Sequence, residues 1–275
     1  MATLRYLGTN AHQIVIADSL GLSQKTVSNC FNKVDGLLAD MAPRFITFPP
    51  DLVSQRQTQA EFAQVAGFPG VLGCLDCSHI RLISPTDENK AQFYCRKGYP
   101  SLNVQAVCDS RRRFINVVAK WPGSCHDSFI VRQSAVWTAF EAGHTGIILG
   151  DSGYPCRRWL LTPYLNPLTP AQKKFNAAQK KTRCLIEQAF GSVKRRWAIL
   201  GSLSGCCRLT TDTVAKVVVA CFVLQNIAID RNQPDVEDSD EPGDDDGADD
   251  EVAYTGPLST GNTYRDHIAR AHFDH

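Results

Sequence analysis

The apolar run GVLGCLDCSHIRL, residues 70–82, carries an acid at its centre, Asp76. A strand this apolar is a buried strand, and a carboxylate withdrawn from water costs on the order of several kcal/mol unless something meets it. Whatever the chain folds into must bring a compensating group to the middle of that strand. A metal ion shared with other acids is one solution. A basic side chain, or backbone amides, is the other.

Two further acids stand where apolar residues would be expected. Asp151 ends the short apolar run GIILGDSGYP, which reads as a buried parallel strand, and the carboxyl ends of such strands are where ligand sites form in open α/β sheets. Glu187 borders the apolar stripe Ile186, Phe190, Val193 and Trp197 of a helix expected over roughly 177–200. Bare acids brought together from two strands and a helix repel, so their convergence calls for a cation. Mg²⁺ or Mn²⁺ suits such oxygen ligands, so a metal is expected to meet Asp76, and two ions about 4 Å apart can activate a water and stabilise a leaving oxygen at a phosphodiester.

The first fifty residues read differently. Ala11 to Leu20 and the stretch after Ser23 are short amphipathic helices around Gly21, with Ala17 and Val27 at the spacing of a helix-turn-helix. Ser23, Gln24, Lys25, Thr26, Ser28 and Asn29 then face outward at the start of the second helix, as groups able to touch phosphates and base edges. A small helical hairpin with no DNA role has the same spacing. PRFITFPPD, residues 43–51, with three prolines, marks the end of this unit. The expected division is 1–50 for the helical unit, 51–232 for the main α/β domain and 233–275 for an acidic tail without structure.

In the main domain a helix is expected over Leu52 to Ala66, followed by the Asp76 strand. Two alternating runs around Asp109 to Arg112 form a hairpin, with Asp109 as its turn residue. A single helix follows from Asp127 to Glu141, then the strand ending at Asp151, the Glu187 helix, and an apolar helix over Thr211 to Ile229. Asp127 is either a helix cap or a fourth acid of the site. His79 lies three residues beyond Asp76 and so faces the other side of the strand, whereas His126 adjoins Asp127. Cys74 and Cys77 form a CxxC with no second pair at zinc spacing. Arg96 and Lys97, with Lys194, Arg195 and Arg196 at the end of the Glu187 helix, are candidates for gripping a DNA backbone; the trio could equally be a solvated helix end.

Charge bears on the partner. Residues 235–251 hold 11 of the 28 acidic residues and no basic ones, which leaves 29 basic against 17 acidic residues, +12, in the rest. A basic body favours a polyanion such as DNA. Eleven scattered cysteines, an odd count, read as reduced thiols rather than a disulfide framework. With no signal-like start and no run of 18 apolar residues, an intracellular protein with no membrane partner is expected.

In order along the chain, GCLDCSH, RKGYPSLNVQAVCD, WPGSCHDS, LGDSGYP, TRCLIEQAFGSVKRRW and LQNIAID resemble the PIF/Harbinger transposases and the nucleases derived from them. That resemblance covers about Gly70 to Ile229 and the helix-turn-helix before it. It implies an RNase H-like mixed sheet flanked by helices, with Asp76, Asp151 and Glu187 as the catalytic DDE triad and Asp127 beside the metal site. It also implies a divalent cation, Mg²⁺ or Mn²⁺, DNA as substrate, a Myb-like accessory protein, and a nuclear location with a cytoplasmic pool. The function so implied is a metal-dependent DNA endonuclease. The alternative is a catalytically silent, domesticated transposase that binds or regulates DNA.

Overall fold

The short helices at the start assemble as the spacing predicts. In the computed structural model, which describes residues 1–85, 90–202, 204–236, 253–256 and 260–274, α1 spans Ala2–Thr9, α2 Gln13–Leu20 and α3 Gln24–Asp40. Gly21 ends α2 at φ +64°, the left-handed conformation that a side chain resists. The Ser23 hydroxyl caps α3 by accepting from the Thr26 amide at 3.1 Å. Ala17 and Val27 are fully buried between the two helices. Tyr6 of α1 meets Phe31 of α3 edge-on, with centroids 4.9 Å apart, so all three helices share one small core.

The proline stretch holds one four-residue helix, α4 (Ala42–Phe45), before α5 (Leu52–Ala66) begins. Asp51 caps α5 by accepting from the Val53 and Ser54 amides at 2.9 and 2.8 Å. The sheet follows: β1 Val71–Arg81, β2 Ser101–Cys108, β3 Phe114–Pro122, β4 Ile147–Leu149 and β5 Leu160–Leu161, in the order β3-β2-β1-β4-β5. The first three strands are antiparallel, and β4 runs parallel to both β1 and β5. This mixed sheet, flanked by helices and preceded by the helical unit, is an RNase H-like fold. Asp109 is the turn residue of the β2–β3 hairpin, its Oδ1 accepting from the Arg111 and Arg113 amides, both at 2.9 Å. Gly73 sits where β1 shifts register against β4; a Cβ there would stand 2.5 Å from Cγ1 of Val107.

The single helix expected over 127–141 is two, α6 (Asp127–Arg132) and α7 (Ala135–Glu141). Ser134 divides them: its hydroxyl donates to the Val131 carbonyl at 2.6 Å and accepts from the Trp137 amide at 3.3 Å, ending one helix and capping the next. α8 runs from Pro170 to Arg196, starting seven residues before the expected Ala177 because Thr169 and Gln172 form a capping box. α9 (Thr211–Asp230) follows. It is long and apolar enough to cross a membrane by length and composition alone, yet Val217, Val218, Cys221 and Phe222 are buried in this fold.

The core has two layers. On one face of the sheet, Phe114 of β3, Phe190 of α8 and Phe222 of α9 meet, with Phe114 and Phe222 centroids 4.1 Å apart. On the other, Leu72, Leu75, Val107 and Ile148 pack with Tyr154 and the α6–α7 pair.

The segment 233–275, expected to lack structure throughout, ends in a helix, α10 (Thr260–Phe273). Its aromatic end drives the docking: Phe273 packs against Phe68 and Phe175, at centroid distances of 5.5 and 5.8 Å. Asp235, the first acid of the acidic run, pairs with Arg112 at 3.2 Å. Residues 237–252, which carry the rest of the run, lie outside the described residues.

Candidate functional site

Pairing between β1 and β4 ends at Cys74 and Leu149. Asp76 is two residues past that point on β1, and Asp151 two residues past it on β4, so both acids lie at the same end of the sheet. Strand alternation turns Cys74 and Asp76 toward α8, and Cys77 and His79 toward the opposite face. Cys74 Sγ accordingly donates to the Thr182 carbonyl at 3.3 Å.

Asp76 is met by a side chain and an amide of this chain. Its Oδ2 accepts from Nη1 of Arg183 at 2.9 Å, and its Oδ1 from the Cys77 amide at 2.9 Å. The second arm of Arg183, Nη2, reaches Oε1 of Glu187 at 2.7 Å, one helical turn further along α8. The guanidinium thus bridges a largely buried acid and a half-exposed one, with side chains 17% and 44% accessible. Burial pushes the Asp76 carboxyl up to about 7; Arg183 opposes this, Asp127 adds to it, the Cys77 amide opposes it and Glu187 adds to it.

Asp151 is buried, its Oδ1 accepting from the Gly153 amide at 3.1 Å. Asp127 opens α6 as the first helical residue. The cap position belongs to His126, whose side chain makes no capping bond to α6, so Asp127 is not the cap that its position suggested. Instead its Oδ1 accepts from Nδ2 of Asn103 on β2 at 3.1 Å. Tyr154 lies among these groups, and its hydroxyl donates to Cys77 Sγ at 3.2 Å. Burial raises its phenol well above the ordinary value, and the charges of Cys77, Asp127, Asp76 and Asp151 raise it further.

Among the described residues, no three His, Cys, Asp or Glu side chains stand close enough together to hold one metal ion. As arranged, the donor set does not suit a divalent ion, because the cation between Asp76 and Glu187 is a guanidinium. The group that meets Asp76 is therefore not the metal ion expected from the sequence but a guanidinium and a backbone amide of this chain. The CxxC carries no zinc geometry either, since Cys74 and Cys77 hang from opposite faces of β1. His79 is structural, its Nδ1 2.9 Å from the Ser101 hydroxyl.

The proposed DNA contacts divide. Ser23, Gln24, Lys25, Thr26 and Asn29 are exposed on the first turns of α3, and Ser28 is half-buried. Arg96 and Lys97 are exposed, with Nη2 of Arg96 2.8 Å from the His126 ring. The basic trio is not a free patch. Lys194 is buried, and Arg196 bonds Oε1 of Gln225 at 3.0 Å and the Pro234 carbonyl at 2.6 Å, holding the chain that leaves α9. Of the three, Arg195 alone is exposed.

Three residues of the site escaped the reading of the sequence. Arg183 stands four residues before Glu187, a spacing that pairs Arg with Glu on any helix, so TRCLIEQ did carry its signal. Tyr154 and Asn103 carried none, because their partners are remote in the chain.

The family model described as DDE superfamily endonuclease matches residues 75–226, more than half of the chain. Proteins of Homo sapiens and Bos taurus, each called "Putative nuclease HARBI1", are both 35% identical to it over 233 residues, 84% of this chain and 66% of theirs. An Arabidopsis thaliana "Protein ALP1-like" is 28% identical over 253 residues, 86% of this chain and 61% of that one. The chain thus spans about two thirds of the length of these relatives. No solved structure matches it. With the sheet order, the acids at one end of the sheet and the six motifs in sequence, these matches place the chain in the DDE superfamily endonuclease family, as a PIF/Harbinger-like nuclease domain.

Proposed function

We propose that the chain acts as a DNA-binding or regulatory protein on a transposase-derived nuclease scaffold, with its acidic cleft closed by an internal ion pair. The observation that carries this reading is Arg183. One guanidinium pairs with two of the three triad acids, at 2.9 and 2.7 Å. DNA is the partner that the exposed face of α3 and the basic body support, and a nuclear setting with a cytoplasmic pool and a Myb-like accessory protein belong to the same proposal.

A second reading, a divalent-metal-dependent endonuclease using Mg²⁺ or Mn²⁺, is favoured by one observation. Asp76, Asp127 and Asp151 all act on Tyr154, and Asp76 is a buried acid that its surroundings leave under-compensated. In that reading Arg183 withdraws, and Asp76, Asp127, Asp151 and Glu187 hold the ions. A cleavage and binding assay on supercoiled and linear duplex DNA, with Mg²⁺ or Mn²⁺ and nuclear extract as a source of accessory proteins, separates the two. The proposal expects binding without nicking, unchanged in Glu187→Gln. Nicking by the wild type that Glu187→Gln abolishes would establish the enzyme instead.

A further inference from the structure

On the side of the sheet that carries α6, a row of cations and rings leads away from Asp127. Arg96 lies against the His126 ring, its Nη2 2.8 Å from Nε2. His126 and Phe129 stand three residues apart at the start of α6 and so share one side of it. Phe129 meets Trp121 of β3 edge-on, with centroids 5.0 Å apart, and Lys120 Nζ lies 5.0 Å from the centre of the Trp121 ring. Asn103, opposite Trp121 in the β2–β3 register, donates to Asp127, which sets the row beside the acidic cleft. The Ser124 amide donates to the Gln92 carbonyl at 3.0 Å, so the loop that bears Arg96 and Lys97 is fastened to the connection between β3 and α6.

Arg96, Lys97, Lys120, His126 and Phe129 are all exposed. An exposed phenylalanine alone says little, but this one is held in a set geometry. It is 43% accessible, and the edge-on contact leaves at least one face of its ring clear of Trp121. Between Lys90 and Arg132 the acids are Asp109, in the hairpin turn, and Asp127, whose Oδ1 accepts from Asn103. These segments therefore offer an anionic strand cations with little opposing charge. Duplex DNA would use the cations only, because its bases turn their faces to one another. An exposed ring between cations serves a base that has left its stack, and stacking of that kind is tolerant of sequence.

We infer that this row is a single-strand interface: unpaired bases of a DNA strand stack on Phe129 while Arg96, Lys97 and Lys120 hold the phosphates on either side. The inference rests on the DNA-binding reading above and deepens it, by naming DNA with unpaired nucleotides next to the cleft as the form that binds best. Trp121 acts behind Phe129, as the support that fixes its ring.

The test uses the full chain and DNAs of one duplex sequence: blunt, with a short thymidine overhang, and with the same overhang made abasic. The thymidine overhang should bind about tenfold tighter than the abasic one, the scale of one base–aromatic stack. In Phe129→Ala the two overhangs should bind alike, whereas Phe129→Tyr, which keeps the ring, should retain the difference. Equal affinity of the wild type for the two overhangs overturns the interface and leaves the DNA-binding reading standing. A difference that survives Phe129→Ala overturns it as well. If none of the duplexes binds, the duplex reading fails, and a thymidine oligonucleotide decides the row: saturable binding weakened by Phe129→Ala supports the interface, and its absence overturns the inference.

Discussion

Arg183 and Asp76 meet at 2.9 Å across the gap between α8 and β1, so the acid that most constrains this fold is met by a cation from within the chain. Truncating Arg183 leaves that acid in a buried place without its cation. Arg183→Ala should therefore cost about 1.5 kcal/mol at pH 8, where the Asp76 carboxyl, raised to about 7, is ionised and can limit the loss by taking up a proton. In an Asp76→Asn background the same truncation should cost well under half as much. Denaturant unfolding of the four proteins measures the coupling, and equal costs in both backgrounds would show that the pair contributes nothing.

Removing the guanidinium should also change the response to metal. In Arg183→Gln the space between Asp76 and Glu187 loses its resident cation, and a divalent ion that binds the folded form alone raises Tm. Mn²⁺ should raise the Tm of Arg183→Gln by more than that of the wild type, and the excess should vanish when Asp76→Asn is added. Identical shifts in wild type and variant would mean that the arginine does not compete for the site.

A second buried acid gives a pH signature far from the cleft. Asp35 on α3 is 3% exposed with Oδ1 unpartnered, and burial raises it to about 6 against the pull of Lys216. The folded form holds its proton to higher pH than the unfolded chain does, so this residue lowers stability progressively as pH rises from about 4 to about 6, and no further above that. Asp35→Asn should gain about 3 kcal/mol over wild type at pH 8 and almost nothing near pH 3. Urea unfolding across that range checks both the sign and the window.

On α3, Lys25 is exposed one residue inside the helix, and on the proposed DNA-binding reading it contacts a phosphate rather than a base. Lys25→Ala should weaken duplex binding to all sequences alike and lower the slope of log affinity against log salt by about one. A sequence-selective loss would instead give Lys25 a base contact.

Phe273, at the end of α10, should behave as a core residue. Phe273→Ala opens a hole against Phe68 and Phe175 and should cost about 3 kcal/mol. An unchanged Tm would return the segment to the status of a dispensable tail.

What could be read in advance was local. Ser23 as a cap, Gly21 as a left-handed turn, Asp109 closing a hairpin and the acids at the strand ends each follow from a few neighbouring residues. The break at Ser134 was missed because its hydroxyl had to choose between continuing a helix and capping a new one, and that choice depends on how α6 and α7 pack. The docking of α10 was hidden by the acidic run before it, since charge says nothing of Phe273 a full helix later. For Asp76 the requirement for a partner was plain, but which cation fills it depends on where α8 lies, and no spacing within the strand carries that information.

The three N-terminal helices share a core through Tyr6 and Phe31, and α3 lies along α9, whose other residues pack into the main domain. The first turn of α3 therefore has no swivel of its own. Any duplex seated on Ser23 to Asn29 meets the acidic cleft at a set number of base pairs and a set rotation about its axis. On the proposed DNA-binding reading, selectivity comes partly from phasing: inserting half a helical turn of DNA between the two contact points should penalise binding more than inserting a whole one.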